Sequence, residues 1–303
     1  MSAVNVEDSE NVRTALNKTN DSQAVHDRSI GDIIRDARNL SAAEVERVLV
    51  YQRENGVRFG EAAVALGLVS EDDVLHALAQ QFHYPLANAE RRLSSPELVV
   101  LNQPFSVQAE AIRAVRSQVI MRQQQGAASS HASLAVISPQ TGDGKTYFAA
   151  NLAVSLAQLG GRTLVVDADL RGPRLHEVFR VPNNAGLSTI LSGRAESQVI
   201  QGVEGVPGLF VLPGGAIPPN PLELVERPAF GLLMRELGSK FDHVIVDTAA
   251  AMYGSDGCVA AAKCGSAIVI ARKDACRYEA LQDLVASLSG SSVQFLGAVV
   301  NEF

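Results

Sequence analysis

Nine consecutive residues have the types and order needed to hold a phosphate: Ser138-Pro139-Gln140-Thr141-Gly142-Asp143-Gly144-Lys145-Thr146. The apolar run Leu134-Ala135-Val136-Ile137 precedes them, and Ala149 to Leu156, with helical periodicity, follows. A buried strand, a glycine-bearing turn and a helix start form the setting in which backbone N–H groups converge on an anion. Gly142 and Gly144 let the backbone curl inward. Lys145 can reach terminal phosphates, and the Thr146 hydroxyl can ligate Mg²⁺. Thr141, Gly142, Asp143, Gly144, Lys145, Thr146 and Tyr147 are therefore the expected nucleotide contacts. The usual pattern opens on a glycine, and Pro139 stands in that place.

Acids appear where such a loop would need them. Thr163-Leu164-Val165-Val166-Asp167-Ala168-Asp169 is an apolar strand ending in two carboxylates, and His243-Val244-Ile245-Val246-Asp247 ends in a third. Leu209–Leu212, Ala267–Ala271 and Gly297–Val300 complete a set of short apolar strands. Helical patterns lie between them, at Leu222 to Leu237 and Tyr278 to Leu288. Continuously apolar strands alternating with helices indicate an α/β fold, a mostly parallel sheet with helices on both faces. Ligands bind such sheets at the carboxyl ends of the strands. Lys145, Asp167, Asp169 and Asp247 all fall there, as a lysine and acids serving ATP with Mg²⁺ would.

These elements occupy 131–303 of a 303-residue chain. Residues 1–27 are polar and aperiodic and are expected to be a disordered tail. Residues 28–90 contain a repeat: Ser29-Ile30-Gly31-Asp32 aligns with Arg58-Phe59-Gly60-Glu61, and Leu40-Ser41 with Val69-Ser70. Each unit reads as two short helices, the second capped by Ser41 or Ser70, giving a small helical domain. Residues 91–130 read as a connector with one helix, on which Glu110, Arg113 and Arg116 share a face opposite Ala111, Val115 and Val119. Its end, 123–130, reads as a polar linker.

A net charge of −7 argues against a nucleic-acid partner. No apolar run is long enough to span a bilayer, and the start is not a secretory signal. Cys258, Cys264 and Cys276 lack metal-ligand spacing and are expected as reduced thiols of a cytoplasmic protein.

From about residue 105 onward the chain resembles the bacterial protein-tyrosine kinases that control polysaccharide chain length and export, which have a P-loop NTPase fold. Asp167-Ala168-Asp169-Leu170-Arg171 matches their Asp-x-Asp-x-Arg motif, and Glu110, Arg113 and Arg116 match their Glu-x-x-Arg-x-x-Arg helix. Gly186-Leu187-Ser188 and Pro218-Pro219-Asn220-Pro221 also match family segments. The resemblance implies catalytic roles for Lys145, Asp167, Asp169 and Asp247, with Asp167 or Asp169 as the base. It implies Thr146, Asp167 and Asp247 as the residues that hold the metal. It implies a homo-oligomer contacted through Glu110, Arg113 and Arg116. It further implies a separate membrane-spanning chain-length regulator, which would hold this protein at the inner membrane. The N-terminal repeat resembles the N-terminal domain of type II secretion and type IV pilus assembly ATPases. In some of these, residues at the places of Arg58, Gly60 and Gln81 bind cyclic di-GMP.

Three features depart from the pattern or compete with it. After Asp247 the family continues Thr-Pro-Pro, and this chain reads Thr248-Ala249-Ala250, an expected loss of stiffening. The family's C-terminal tyrosine cluster has no counterpart here. Tyr51, Tyr84, Tyr147, Tyr253 and Tyr278 are scattered, so phosphorylation is expected in trans. The competing reading is a non-kinase ATP switch of the partitioning-ATPase kind. Those enzymes carry a lysine early in the loop, where this chain has Gln140.

Overall fold

The computed structural model describes residues 29–81, 95–125, 133–194 and 199–302. The expected tail, residues 126–130 of the expected linker, and Tyr84 lie outside the described residues, while residues 123–125 of that linker are helical. The chain divides into two compact units, Met1–Pro85 and Leu86–Phe303.

The first unit contains α1 (Ile30–Arg38), α2 (Ala42–Asn55), α3 (Phe59–Ala65) and α4 (Glu71–Gln81). The repeat is visible in its caps. Ser41 and Glu44 form a reciprocal capping box on α2, with Glu44 Oε2 2.8 Å from the Ser41 amide. Ser70 and Asp73 make the same contacts at α4, the Asp73 carboxylate accepting from the Ser70 amide at 2.8 Å. Such boxes satisfy N–H groups that helix starts leave unpaired. Ile34, Val48, Ala62 and Ala63 are fully buried among the four helices. Gly60 is a close-approach position: a Cβ there would lie 2.5 Å from Val74 Cγ1.

In the second unit, α5 (Val99–Asn102) and α6 (Val107–Gln125) precede the sheet. There follow β1 (Ser133–Ile137), α7 (Lys145–Ala157), β2 (Thr163–Ala168), α8 (Leu175–Phe179), α9 (Leu187–Leu191), β3 (Gln201–Gly202) and β4 (Leu209–Leu212). The remainder is α10 (Pro221–Glu226), α11 (Pro228–Lys240), β5 (His243–Thr248), α12 (Asp256–Cys264), β6 (Gly265–Arg272), α13 (Tyr278–Ser289) and β7 (Gln294–Asn301). The seven strands run in the order β3-β4-β2-β5-β1-β6-β7, parallel except for β3 against β4. Alternate residues serve opposite faces: Leu134 and Val136 join one core with α7, Ala135 and Ile137 the other. The expected α/β sheet with helices on both faces is the observed one.

Three expectations are corrected. The stretch read as a connector is part of the second unit, and the division falls at Pro85 rather than residue 90. Buried Asn151 on α7 holds it there: Asn151 Nδ2 donates to Glu97 O at 2.8 Å, and Oδ1 accepts from Val100 N at 3.1 Å. The inward face of α6 carries Ala109, Ile112 and Val119, while Ala111 is exposed. Arg116 lies on that inward face and donates to Ser155 O at 2.8 Å, so it does not sit opposite the apolar stripe. The single helix read over 222–237 is two, because Pro228 cannot continue the first and instead opens the second.

Two outcomes follow for the helical unit. Gly60→Ala forces Val74 aside and is expected to lower stability by about 1–3 kcal/mol, measured by denaturant unfolding of the full chain. Burial alone would raise the Asp73 pKa, but Arg38, 2.7 Å away, and the Ser70 amide and hydroxyl outweigh it and bring it to about 2. A carboxylate depressed on folding stabilises above its ordinary range and loses that contribution as pH falls. Wild type is therefore expected to lose stability relative to Asp73→Asn as pH falls from about 4 to about 2.

Candidate active site

The nine-residue loop connects β1 to α7 at the centre of the sheet. Gly144 has φ 95°, a left-handed conformation, and serves as the N-cap of α7. Lys145 opens the helix and is 7% exposed. The loop is braced from within: Asp143 Oδ2 accepts from the Gln140 amide at 2.9 Å, and Ser138 Oγ donates to Gln140 O at 2.6 Å. Asp143 thus turns its carboxylate to the loop's own backbone. Burial raises its pKa, against the pull of the Gln140 amide, Lys145 and Arg272. Asn301 at the end of β7 donates to Asp143 O at 3.3 Å, a contact with no clear sequence signal.

The segment after β5 holds the loop from outside. Thr248 Oγ1 donates to Val136 O at 2.8 Å. The amides of Ala251 and Met252 donate to Ser138 O and Pro139 O at 2.8 and 3.0 Å. These bonds flank Ala249 and Ala250, the residues that stand in place of the family's two prolines.

Asp167 on β2 and Asp247 on β5 are partners in register on adjacent parallel strands. Asp167 is fully buried and Asp247 is 1% exposed. Asp167 Oδ2 accepts from the amides of Arg174 and Leu175 at 2.8 and 2.9 Å. Asp167 Oδ1 and both carboxylate oxygens of Asp247 have no hydrogen-bond partner among the described residues. Burial pushes the pKa of Asp167 well up, and Asp247 pushes it further. Burial likewise raises Asp247. Lys145 and Thr146 oppose this, Thr146 lying close without completing a hydrogen bond of ordinary geometry. Asp169 lies just past the end of β2, half-buried, its Oδ1 accepting from the amides of Arg171 and Gly172 at 3.2 and 3.1 Å. The fold therefore brings Lys145, Thr146, Asp167, Asp169 and Asp247 together, as the spacing predicted. Paired buried carboxylates with unused oxygens beside a hydroxyl suit a small divalent cation that takes its remaining ligands from phosphate and water.

Arg171 and Asp256 form a bidentate pair, Nε–Oδ1 3.1 Å and Nη2–Oδ2 3.0 Å, with the Asp256 side chain 3% exposed. The pair joins the turn after β2 to the start of α12. Arg171 stood in the sequence motif, but its partner 85 residues away was not readable there.

Other expected residues are distributed differently. Glu110 is exposed and pairs with Arg113 at 2.7 Å; Arg113 also donates to Pro104 O. Arg113 and Arg116 are thus both engaged within the chain. Arg58 is exposed at the start of α3, and neighbouring Gly60 is buried against Val74. Gln81 ends α4, its side chain outside the described residues. Tyr51 and Tyr147 are half-buried, and burial, reinforced by Glu97, raises the Tyr147 pKa. Tyr253 and Tyr278 are 51% and 75% exposed. The three cysteines are free.

Residues 134–303 match the model described as the CobQ/CobB/MinD/ParA nucleotide binding domain. The tyrosine-protein kinase CpsD of Streptococcus agalactiae is 31% identical over 170 residues, covering 56% of this chain and 74% of its own. The chain belongs to the bacterial tyrosine-protein kinase family. Staphylococcus aureus CapB, a putative tyrosine-protein kinase, is 29% identical over 214 residues, 71% of this chain and 92% of CapB. The kinase domain of the Escherichia coli tyrosine kinase ETK superposes with a TM-score of 0.63 at 30% identity, over 68% of this chain and 79% of that one. Against three longer tyrosine-protein kinases, the chain spans only 28% or 29% of their length.

Asp256→Asn removes one charge of a largely buried pair and is expected to cost about 1–3 kcal/mol, since Arg171 retains some water contact. Thermal unfolding of the variant beside Arg171→Lys, which keeps the charge and loses the fork, measures how much the bidentate geometry contributes.

Proposed function

We propose that the chain is an ATP-dependent protein-tyrosine kinase that regulates exopolysaccharide polymerisation, chain length and export. The observation that carries this reading is the group of three carboxylates gathered around Lys145 and Thr146, two of them buried with unpaired oxygens. The amides at the start of α7 and the Lys145 ammonium would hold the phosphates of ATP. Thr146, Asp167 and Asp247 would hold Mg²⁺, which neutralises charge on the phosphates. The acceptor phenol oxygen would form a bond to the γ-phosphorus as the bond to the bridging β–γ oxygen breaks, releasing ADP. We assign the phenol proton to Asp169, the one of the three acids that solvent reaches. Positioning and charge neutralisation supply most of the rate.

The proposed partners are a membrane-spanning chain-length regulator on a separate polypeptide, which would place the protein at the inner face of the membrane, and further copies of this chain. Among the described residues no helix is long and apolar enough to cross a membrane. Glu110, which pairs with Arg113, is the exposed member of that motif and would be the one to face a second copy. Cyclic di-GMP as a ligand of the helical unit rests on exposed Arg58, and its test is a calorimetric titration of wild type against Arg58→Ala, where equal or absent heats remove it.

The kinase is tested by incubating the purified chain with γ-labelled ATP, Mg²⁺ and the cytoplasmic part of the regulator. Phosphotyrosine is expected, reduced at least a hundredfold by Lys145→Met. ATP hydrolysis with no lysine-dependent phosphotyrosine would identify a nucleotide switch instead.

A further inference from the structure

Beyond the nucleotide loop and the acids, the carboxyl edge of the sheet continues to β4, the neighbour of β2. The chain leaves β4 as Pro213-Gly214-Gly215 and passes beside Asp167. A Cβ on Gly214 would lie 3.7 Å from Asp167 Cγ and 2.6 Å from Pro173 Cβ. The other side of this turn is fastened to the start of α9, where the amides of Leu187 and Ser188 donate to Pro213 O and Gly214 O at 2.8 and 3.0 Å. A Cβ on Gly215 would meet Ser188 Oγ at 2.8 Å. One thickness of glycine backbone therefore separates Asp167 from Ser188.

On the Ser188 side opens a cleft of about 350 Å³, lined among others by Ser188, Thr189, Ser192, Arg194, Asn220 and Arg227. This is at the small end of ligand pockets, about 300–1,000 Å³. It suits a short stretch of polypeptide. Arg227 spends one donor on Leu191 O at 3.0 Å. Asn220 donates to Glu223, on the exposed face of α10. Among the described residues neither Arg194 nor Arg227 pairs with a carboxylate. Two guanidinium groups among hydroxyls and amides form a surface that favours carboxylates, which arginine binds through paired, charge-assisted hydrogen bonds.

The position in the sheet gives this chemistry its use. The phosphate loop lies over β1, Asp247 on β5 and Asp167 on β2, with β4 next in line. With phosphates held over β1, an acceptor attacking in line, opposite the leaving phosphates, would approach from the side of β2 and β4. We infer that this cleft is the acceptor subsite of the kinase: it holds the residues flanking the target tyrosine and selects acidic ones through Arg194 and Arg227. This rests on the kinase reading above and adds to it the class of acceptor, an acidic peptide.

The test measures binding apart from turnover. A fluorescently labelled tyrosine peptide with flanking glutamates, and its counterpart with glutamines, are titrated with the full chain, ADP and Mg²⁺, and followed by anisotropy. The glutamate peptide is expected to bind about tenfold more tightly, and Arg194→Glu to abolish that preference. Arg194 is exposed, and an unchanged ADP affinity verifies that the variant is folded. Equal affinity for both peptides, or a preference that survives Arg194→Glu, overturns the inference. If phosphotyrosine forms on both peptides alike and depends on Lys145, the subsite falls and the kinase stands. If the acidic peptide binds but no acceptor is phosphorylated, the kinase reading falls and takes the acceptor role of the cleft with it.

Discussion

Two carboxylates in register on neighbouring parallel strands are the constraint around which this site is built. Asp167 and Asp247 are paired residues of β2 and β5, and adjacent strands run about 4.8 Å apart. Both are buried, and Lys145 acts on Asp247 without neutralising the pair. Like charges removed from water disfavour ionisation, and burial and mutual repulsion account for the raised pKa of Asp167. Lys145 and Thr146 offset only part of this for Asp247. A divalent cation with phosphate would reverse the balance, making the ionised pair favourable. The arrangement is thus poor as a stabilising feature and well suited to a metal–nucleotide complex.

The remaining contacts keep that pair beside the loop. Thr248 binds the β1 backbone next to Asp247, and the turn after it supports the loop through two amides. Asp167 is fixed by the backbone of Arg174 and Leu175, while Arg171 reaches across to Asp256 at the start of α12. Because α12 follows the turn that supports the loop, the two acidic strands and the loop share one framework of backbone bonds and the Arg171–Asp256 ion pair. Arg174, whose amide serves Asp167, pairs its side chain with Glu97, so the segment ahead of the sheet also reaches this framework.

The helical unit rests on a different kind of economy. Its repeated Ser–Glu and Ser–Asp caps set where helices start, and Gly60 sets how closely α3 approaches Val74. That glycine has a sufficient explanation in packing. A ligand role for its neighbour Arg58 has to stand on the exposed arginine itself.

The amino-acid sequence by itself determined the fold class and which residues gather at the carboxyl edge of the sheet. Buried parallel strands read as continuous apolar runs, and the chemistry sits at their ends, one residue from the last apolar position. Asp167 and Asp247 were legible for that reason, and Lys145 and Thr146 from the glycine-bearing turn that follows β1. Relations between distant segments were decided only by tertiary structure. Asp256 as the partner of Arg171, Asn151 as the anchor of residues 97–100, and the turn of Gly214 beside Asp167 each join positions whose spacing carries no period. Arg116 shows the same limit. A helical wheel assigns it to a charged face, but which face is buried depends on what α7 presents, and Ser155 there takes the arginine inward.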